Sequence, residues 1–198
     1  MAPWIRTIGG PWASRGVALL FADGPNAYHY ETVDILAEQR AKATFAVVGR
    51  WIAGNEELLR RMLAYGNAIA NHSWSHPHLT AENVADEIAR TQVAIRNATG
   101  YTPCVFRPPH GDYGRDVVQA AKQQDLVTID MQVNTWDWAK PGTEVIYHRV
   151  MDRVRRGAIF LLHPSEQTNA VLPRIIDDLR VRGYHLHTVP RLLGLTNS

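Results

Sequence analysis

The chain has 198 residues, 45% of them hydrophobic and 20% charged, which suits one globular core and excludes disorder, collagen and coiled coil as overall descriptions. A net charge of +2, with basic residues scattered apart from the short run Arg153, Arg155 and Arg156, argues against nucleic acid as a partner. The single cysteine, Cys104, excludes an internal disulfide and a cysteine-based zinc site.

No stretch approaches the roughly 20 apolar residues of a membrane span, and the first sixteen residues lack the charged start and apolar middle of a signal peptide. From there apolar runs at 17–21, 43–48, 68–70, 104–106, 126–131, 158–162 and 185–189 alternate with amphipathic stretches. That rhythm predicts a parallel β/α barrel of seven strands, complete or incomplete, as a single domain over 1–198. Between the runs, Asn55 and Gly66 bracket a helix with Glu56 and Glu57 early and Arg60 and Arg61 later. Val84, Ile88, Thr91 and Ile95 mark a second helix by their spacing, with Thr80 as its expected cap and Gly100 past its end.

Five polar clusters follow predicted strands: Asp23-Gly24-Pro25, His72-Ser73-Trp74-Ser75-His76, Arg107-Pro108-Pro109-His110-Gly111, Asp137-Trp138 and Leu161-Leu162-His163. In a parallel barrel those ends share the face that carries the chemistry. His72 and His76, four apart, would project together from a helical turn and grip one ion. Asp23 either starts an ordinary Asp-Gly-Pro turn or completes a two-histidine, one-carboxylate set with positions left for water and substrate. His163 reads as a proton donor whose basicity a carboxylate such as Asp137 would raise, or as a half-buried histidine satisfied by a carbonyl. Arg107, on a backbone stiffened by prolines, is a fixed cation whose natural partner is a carboxylate. Because proline has no N–H, the first amide of that loop able to meet a developing oxyanion is that of His110.

These motifs resemble, in order and over most of the chain, the polysaccharide deacetylases of carbohydrate esterase family 4, the NodB homology domain. Phe21-Ala22-Asp23-Gly24-Pro25 is similar to the family's Thr-Phe-Asp-Asp-Gly-Pro, His72-Ser73-Trp74-Ser75-His76 to His-Ser/Thr-x-x-His, and Arg107-Pro108-Pro109-His110-Gly111 to Arg-Pro-Pro-Tyr-Gly. Asp137-Trp138 and Leu161-Leu162-His163-Pro164 resemble the fourth and fifth motifs. The resemblance implies a distorted (β/α)7 barrel, one divalent ion, zinc before cobalt or nickel, and removal of acetyl groups from chitin oligomers, peptidoglycan or acetylxylan. It implies a secreted or cell-surface setting, and the chain is expected to be a monomer. It makes Asp23, His72 and His76 the metal ligands, His163 the general acid and Asp137 the residue that tunes it. Trp138 and Leu161 would hold the acetyl methyl, with core filling the ordinary alternative for Trp138, and the His110 amide would serve the oxyanion. Trp74 and Tyr113 are placed with the substrate-facing residues, and Trp74 and Trp136 beside the site are sugar platforms or packing residues.

Ala22 departs from the family, which carries its general-base aspartate there. The chain is therefore expected to bind metal and glycan with little turnover, and Arg107 to lack its carboxylate partner. Ala22 is read as an engineered replacement before a natural non-catalytic, glycan-binding pseudoenzyme. His110 is a second departure, since the family has Tyr or Phe there. A non-haem iron oxygenase shares the ligand triad, but His72 following Asp23 by 49 positions on a parallel barrel speaks against it. His29, His78, His148, His185 and His187 are expected to pack in the core or at the surface, and Trp4, Trp12 and Trp51 carry no functional placement.

Overall fold

A computed structural model describes residues 15–195, so Trp4, Trp12 and nearly all of the opening segment lie outside the described residues. The strands are β1 (Gly16–Gly24), β2 (Thr44–Val47), β3 (Ala68–Asn71), β4 (Val105–Phe106), β5 (Val127–Thr128), β6 (Val133–Asn134), β7 (Ile159–Leu162) and β8 (His185–Leu186). Seven of them pair in the order β5-β4-β3-β2-β1-β7-β6, and β8 joins the start of β1. Every pairing is parallel. Among the described residues no ladder joins β5 to β6, so the sheet curls into a barrel left open on that side. This is the expected distorted β/α barrel.

Strand alternation divides the core into two layers. Ala18, Leu20 and Ala22 of β1 turn inward with Ala46, Ala70, Val105, Ile159 and Leu161 to fill the lumen. Val17, Leu19 and Phe21 turn outward with Phe45, Ile69, Phe160 and Leu162. The helices are α1 (Ala27–Glu38), α2 (Glu56–Ala64), α3 (Val84–Thr99), α4 (Arg115–Gln123), α5 (Thr143–Met151), α6 (Glu166–Val181) and the short α7 (Val189–Leu192). Of these, α1, α2, α3, α5 and α6 cover that outer layer, α4 packs with α3 over Phe106, and α7 closes on the lumen residues through Val189 and Leu192. Among the described residues no helix is long and apolar enough to cross a membrane.

Several local expectations hold and others need correction. Gly100 closes α3 in the left-handed conformation at φ 74°, where a Cβ would be strained, and Gly66 follows α2 at φ 77°. Thr80 is not the cap of α3: Asn83 holds that position, and its side chain instead accepts from the Thr80 amide. The run 126–131 is not one strand, because the Asp130 carboxylate accepts from the Met131 amide and turns the chain after β5. The chain then re-enters the sheet as β6, on the far side of the gap. The run 185–189 stops at Leu186, since Thr188 caps α7 and Pro190 sits in its first turn.

Candidate active site

Parity explains how the barrel mouth is furnished. In β3, β4 and β7, Ala70, Val105 and Leu161 face the lumen, so His72, Arg107 and His163, two positions beyond each, return to the inward side. Strict alternation would send Asp23 away from the lumen when Ala22 points into it. A register shift between Phe21 and Gly24, with Asp23 at φ 61°, lets both residues line one cavity. This cavity, about 380 Å3, gathers Ala22, Asp23, His72, His76, Arg107, His110, Trp138, Leu161 and His163 from the expected set.

One oxygen of Asp23 lies 3.2 Å from Nε2 of His72 and 3.2 Å from Nε2 of His76. The two imidazoles do not meet on a helical turn. Residues 72–76 form a loop, with Ser73 at φ 65° and His76 at φ 60°, closed by the His76 amide donating to the Ser73 hydroxyl at 3.0 Å. Glu87 of α3 braces it by accepting from the Ser75 amide and hydroxyl at 2.7 and 2.8 Å.

The donor set fits a cation. His72 Nδ1 donates to the Arg107 carbonyl at 2.5 Å, so a neutral His72 presents the lone pair of Nε2 to the Asp23 carboxylate. Two acceptors face one another there, and only a proton or a metal ion reconciles them. Burial disfavours the charged ring and pushes the His72 pKa down, although Asp23 draws it up. Burial also opposes charge on Asp23, but the imidazoles of His72 and His76, with His163 across the cavity, outweigh it and hold that carboxyl well below the usual range. The three donor atoms lie within 4.8 Å of one another.

Across the cavity, His163 Nε2 is 3.7 Å from the other Asp23 oxygen. Behind it, fully buried Asp137 accepts from His163 Nδ1 at 2.8 Å and from the His163 amide at 2.7 Å. A carboxylate can only accept, so the Nδ1 proton is fixed and Nε2 faces the cavity. Asp137 also accepts from the Thr168 hydroxyl and the Trp138 amide, at 2.8 and 3.0 Å. Arg107 is 4% exposed, and among the described residues no carboxylate pairs with it. Its guanidinium reaches the Pro108 carbonyl and the Met131 sulfur, and its Nε is buried without a partner.

Trp138 is 57% exposed and Trp136 50%, with ring centroids 5.7 Å apart, so neither fills the core and both offer apolar faces at the mouth. Trp74 does not line this cavity. It turns toward α3 and Gly49, with the Arg90 guanidinium 4.3 Å from its ring centre. Tyr113 stands beside Arg107, 5.7 Å from its ring centre to the guanidinium, and donates to Asp130 instead of facing the cavity. Met131 and Asn134 line the cavity unforeseen, because both depend on the break between β5 and β6. His29 is also more than filler: it completes the N-terminal cap of α1 with Asn26, and its buried Nε2 lies where a Cβ on Gly24 would come within 2.0 Å.

Residues 10–129 match the polysaccharide deacetylase family. The chain is 35% identical over 207 residues to a chitooligosaccharide deacetylase of Bradyrhizobium sp. (strain ANU 289), covering 94% of each. It is 34% identical over 186 residues to the peptidoglycan-N-acetylglucosamine deacetylase PgdA of Listeria monocytogenes, covering 91% of this chain and 39% of that protein. The crystal structure of a family 4 carbohydrate esterase pseudoenzyme from Bacillus anthracis matches with a TM-score of 0.90 at 30% identity, over 98% of this chain and 70% of that one. A mutant of that pseudoenzyme with restored enzymatic activity matches with a TM-score of 0.90 at 31% identity, over 98% and 72%.

Proposed function

Since the chain belongs to the polysaccharide deacetylase family, we propose that it is a metal-dependent deacetylase scaffold for acetylated glycans at or outside the cell surface, held at low turnover by Ala22. One observation carries this reading: a single cavity brings Asp23, His72 and His76 together opposite His163. Asp23, His72 and His76 would hold a divalent ion, for which two imidazoles and a carboxylate suit zinc, with cobalt or nickel as alternates. When bound, the ion supplies Lewis-acid polarisation of an acetyl carbonyl.

The rest falls to the protein. His163, its Nδ1 proton committed to Asp137, presents Nε2 to hand a proton to the leaving amine of the sugar. Asp137 positions that ring. Leu161 and Trp138 wall the space for the acetyl methyl, the His110 amide serves the oxyanion, and the exposed faces of Trp136 and Trp138 meet sugar rings. No carboxylate stands at position 22 to accept the proton of an attacking water. General-base help contributes about 10²- to 10⁴-fold in rate, or roughly 3 to 5 kcal/mol of barrier.

The likeness to the Bacillus anthracis pseudoenzyme supports a second account of Ala22, in which a natural member binds glycan without turning it over. Ala22→Asp separates the readings. With zinc present and acetylated chito- and xylo-oligosaccharides as substrates, the variant is expected to release acetate about 10²- to 10⁴-fold faster than the unaltered chain. If neither protein releases acetate while both bind the oligomers, the binding-module account stands and the hydrolytic one falls.

A further inference from the structure

Arg107 is a charge buried with too few partners. Of the five N–H donors of a guanidinium, the one on Nε is sealed from solvent without an acceptor, and Nη2 reaches only a thioether, at 3.7 Å. Acids near the cavity are committed elsewhere: Asp23 to His72 and His76, Asp130 to the Tyr113 hydroxyl and the Met131 amide. Leaving a buried charge unpaired is strongly unfavourable, whereas pairing it with a hydrogen-bonding anion relieves much of that. Arg107 lines the same cavity as Ala22, whose methyl group is all that this position contributes to the space. Met131, which touches the guanidinium, also packs on the lumen cluster that contains Ala22.

The geometry points to a small-anion site in the cavity floor, where a planar monocarboxylate of formate or acetate size sits beside Ala22 and pairs with Arg107. Two carboxylate oxygens match the fork of a guanidinium, which a spherical ion does not. This site is distinct from the cluster of Asp23, His72 and His76, and it stands whether or not the hydrolytic reading does.

The test uses the full chain in EDTA, so that no metal offers formate another seat. Formate is titrated against gluconate at constant ionic strength, and the readouts are the melting temperature and the line width of 13C-formate. At a tenfold excess over Kd the melting temperature is expected to rise about 3 to 6 °C, with broadening of the formate line. Both effects are expected to vanish in Ala22→Asp, where a tethered carboxylate takes the space, and in Arg107→Gln. Should Arg107→Gln fail to fold, Ala22→Asp carries the comparison. A rise of equal size in Ala22→Asp, or neither rise nor broadening in the unaltered chain, overturns the assignment.

Discussion

Removing the Asp137 carboxylate, as in Asp137→Ala, tests how the His163 side of the cavity is built. Its two oxygens accept four hydrogen bonds, from the His163 amide at 2.7 Å, His163 Nδ1 and the Thr168 hydroxyl at 2.8 Å, and the Trp138 amide at 3.0 Å. The side chain is fully buried, so water does not already share the load. Each orphaned donor costs about 1 to 3 kcal/mol. His163 borders the open cavity, which admits water to part of the gap, so the lower figure applies and four donors sum to about 4 kcal/mol. For a chain of this size that corresponds to a fall in melting temperature of about 8 to 16 °C. The assay is thermal unfolding followed by circular dichroism, with 15N NMR of His163 reading the tautomer. In the intact protein Nδ1 carries the proton; in Asp137→Ala that preference is lost. A double variant with His163→Ala should lose less than the sum of the two single losses, because both changes break the same bonds. A fall of less than about 3 °C with the His163 tautomer unchanged would refute the reasoning, since the carboxylate would then be holding nothing.

Asp23→Asn replaces the charged donor of the candidate metal cluster with a neutral amide, and elemental analysis after zinc dialysis is expected to fall from one ion per chain to near none. Acidification should weaken the fold through His29. Burial lowers its pKa to about 3 against the pull of Asp23. Between pH 6.5 and 3 the unfolded chain therefore binds the extra proton, and stability drops as pH falls, by up to about 1.4 kcal/mol per unit. Urea unfolding of His29→Gln should accordingly lose about 2 kcal/mol less than the unaltered chain between pH 7 and pH 5; equal losses would clear His29 of the effect. Gly24→Ala drives a methyl to within 2.0 Å of His29 Nε2, a ring that has no space to retreat, and should lower stability by about 1 to 3 kcal/mol in the same assay.

Much of the site was legible because a parallel strand delivers its C-terminal neighbours to one mouth, and five polar clusters occupied those places in the sequence. Composition and rhythm could not reveal which way a single residue would turn. Trp74 lies between His72 and His76 in the chain, yet the left-handed residues of that loop send it to α3 while the two imidazoles converge. The reading of His72 and His76 as neighbours was sound, but the helical turn behind it was not, since the loop depends on Glu87, which arrives from another element. β6 has two residues and no periodicity to detect, so Asn134 had no predicted strand end to mark it, and Met131, the last residue of the predicted run 126–131, lies past the end of β5. Asp23 itself relied on a register shift that alternation would have argued against.

β1 is gripped on both flanks around residue 22: Phe21 pairs with Phe45 of β2 and with Leu162 of β7, and Gly24 pairs with Val47. Those ladders are made by backbone groups, indifferent to what position 22 carries. The place is thus a socket whose plug can be exchanged while neighbouring Asp23 stays where it is. A single base separates some alanine codons from aspartate codons, so the occupant of this position can change in one step while the strand around it is left as it was.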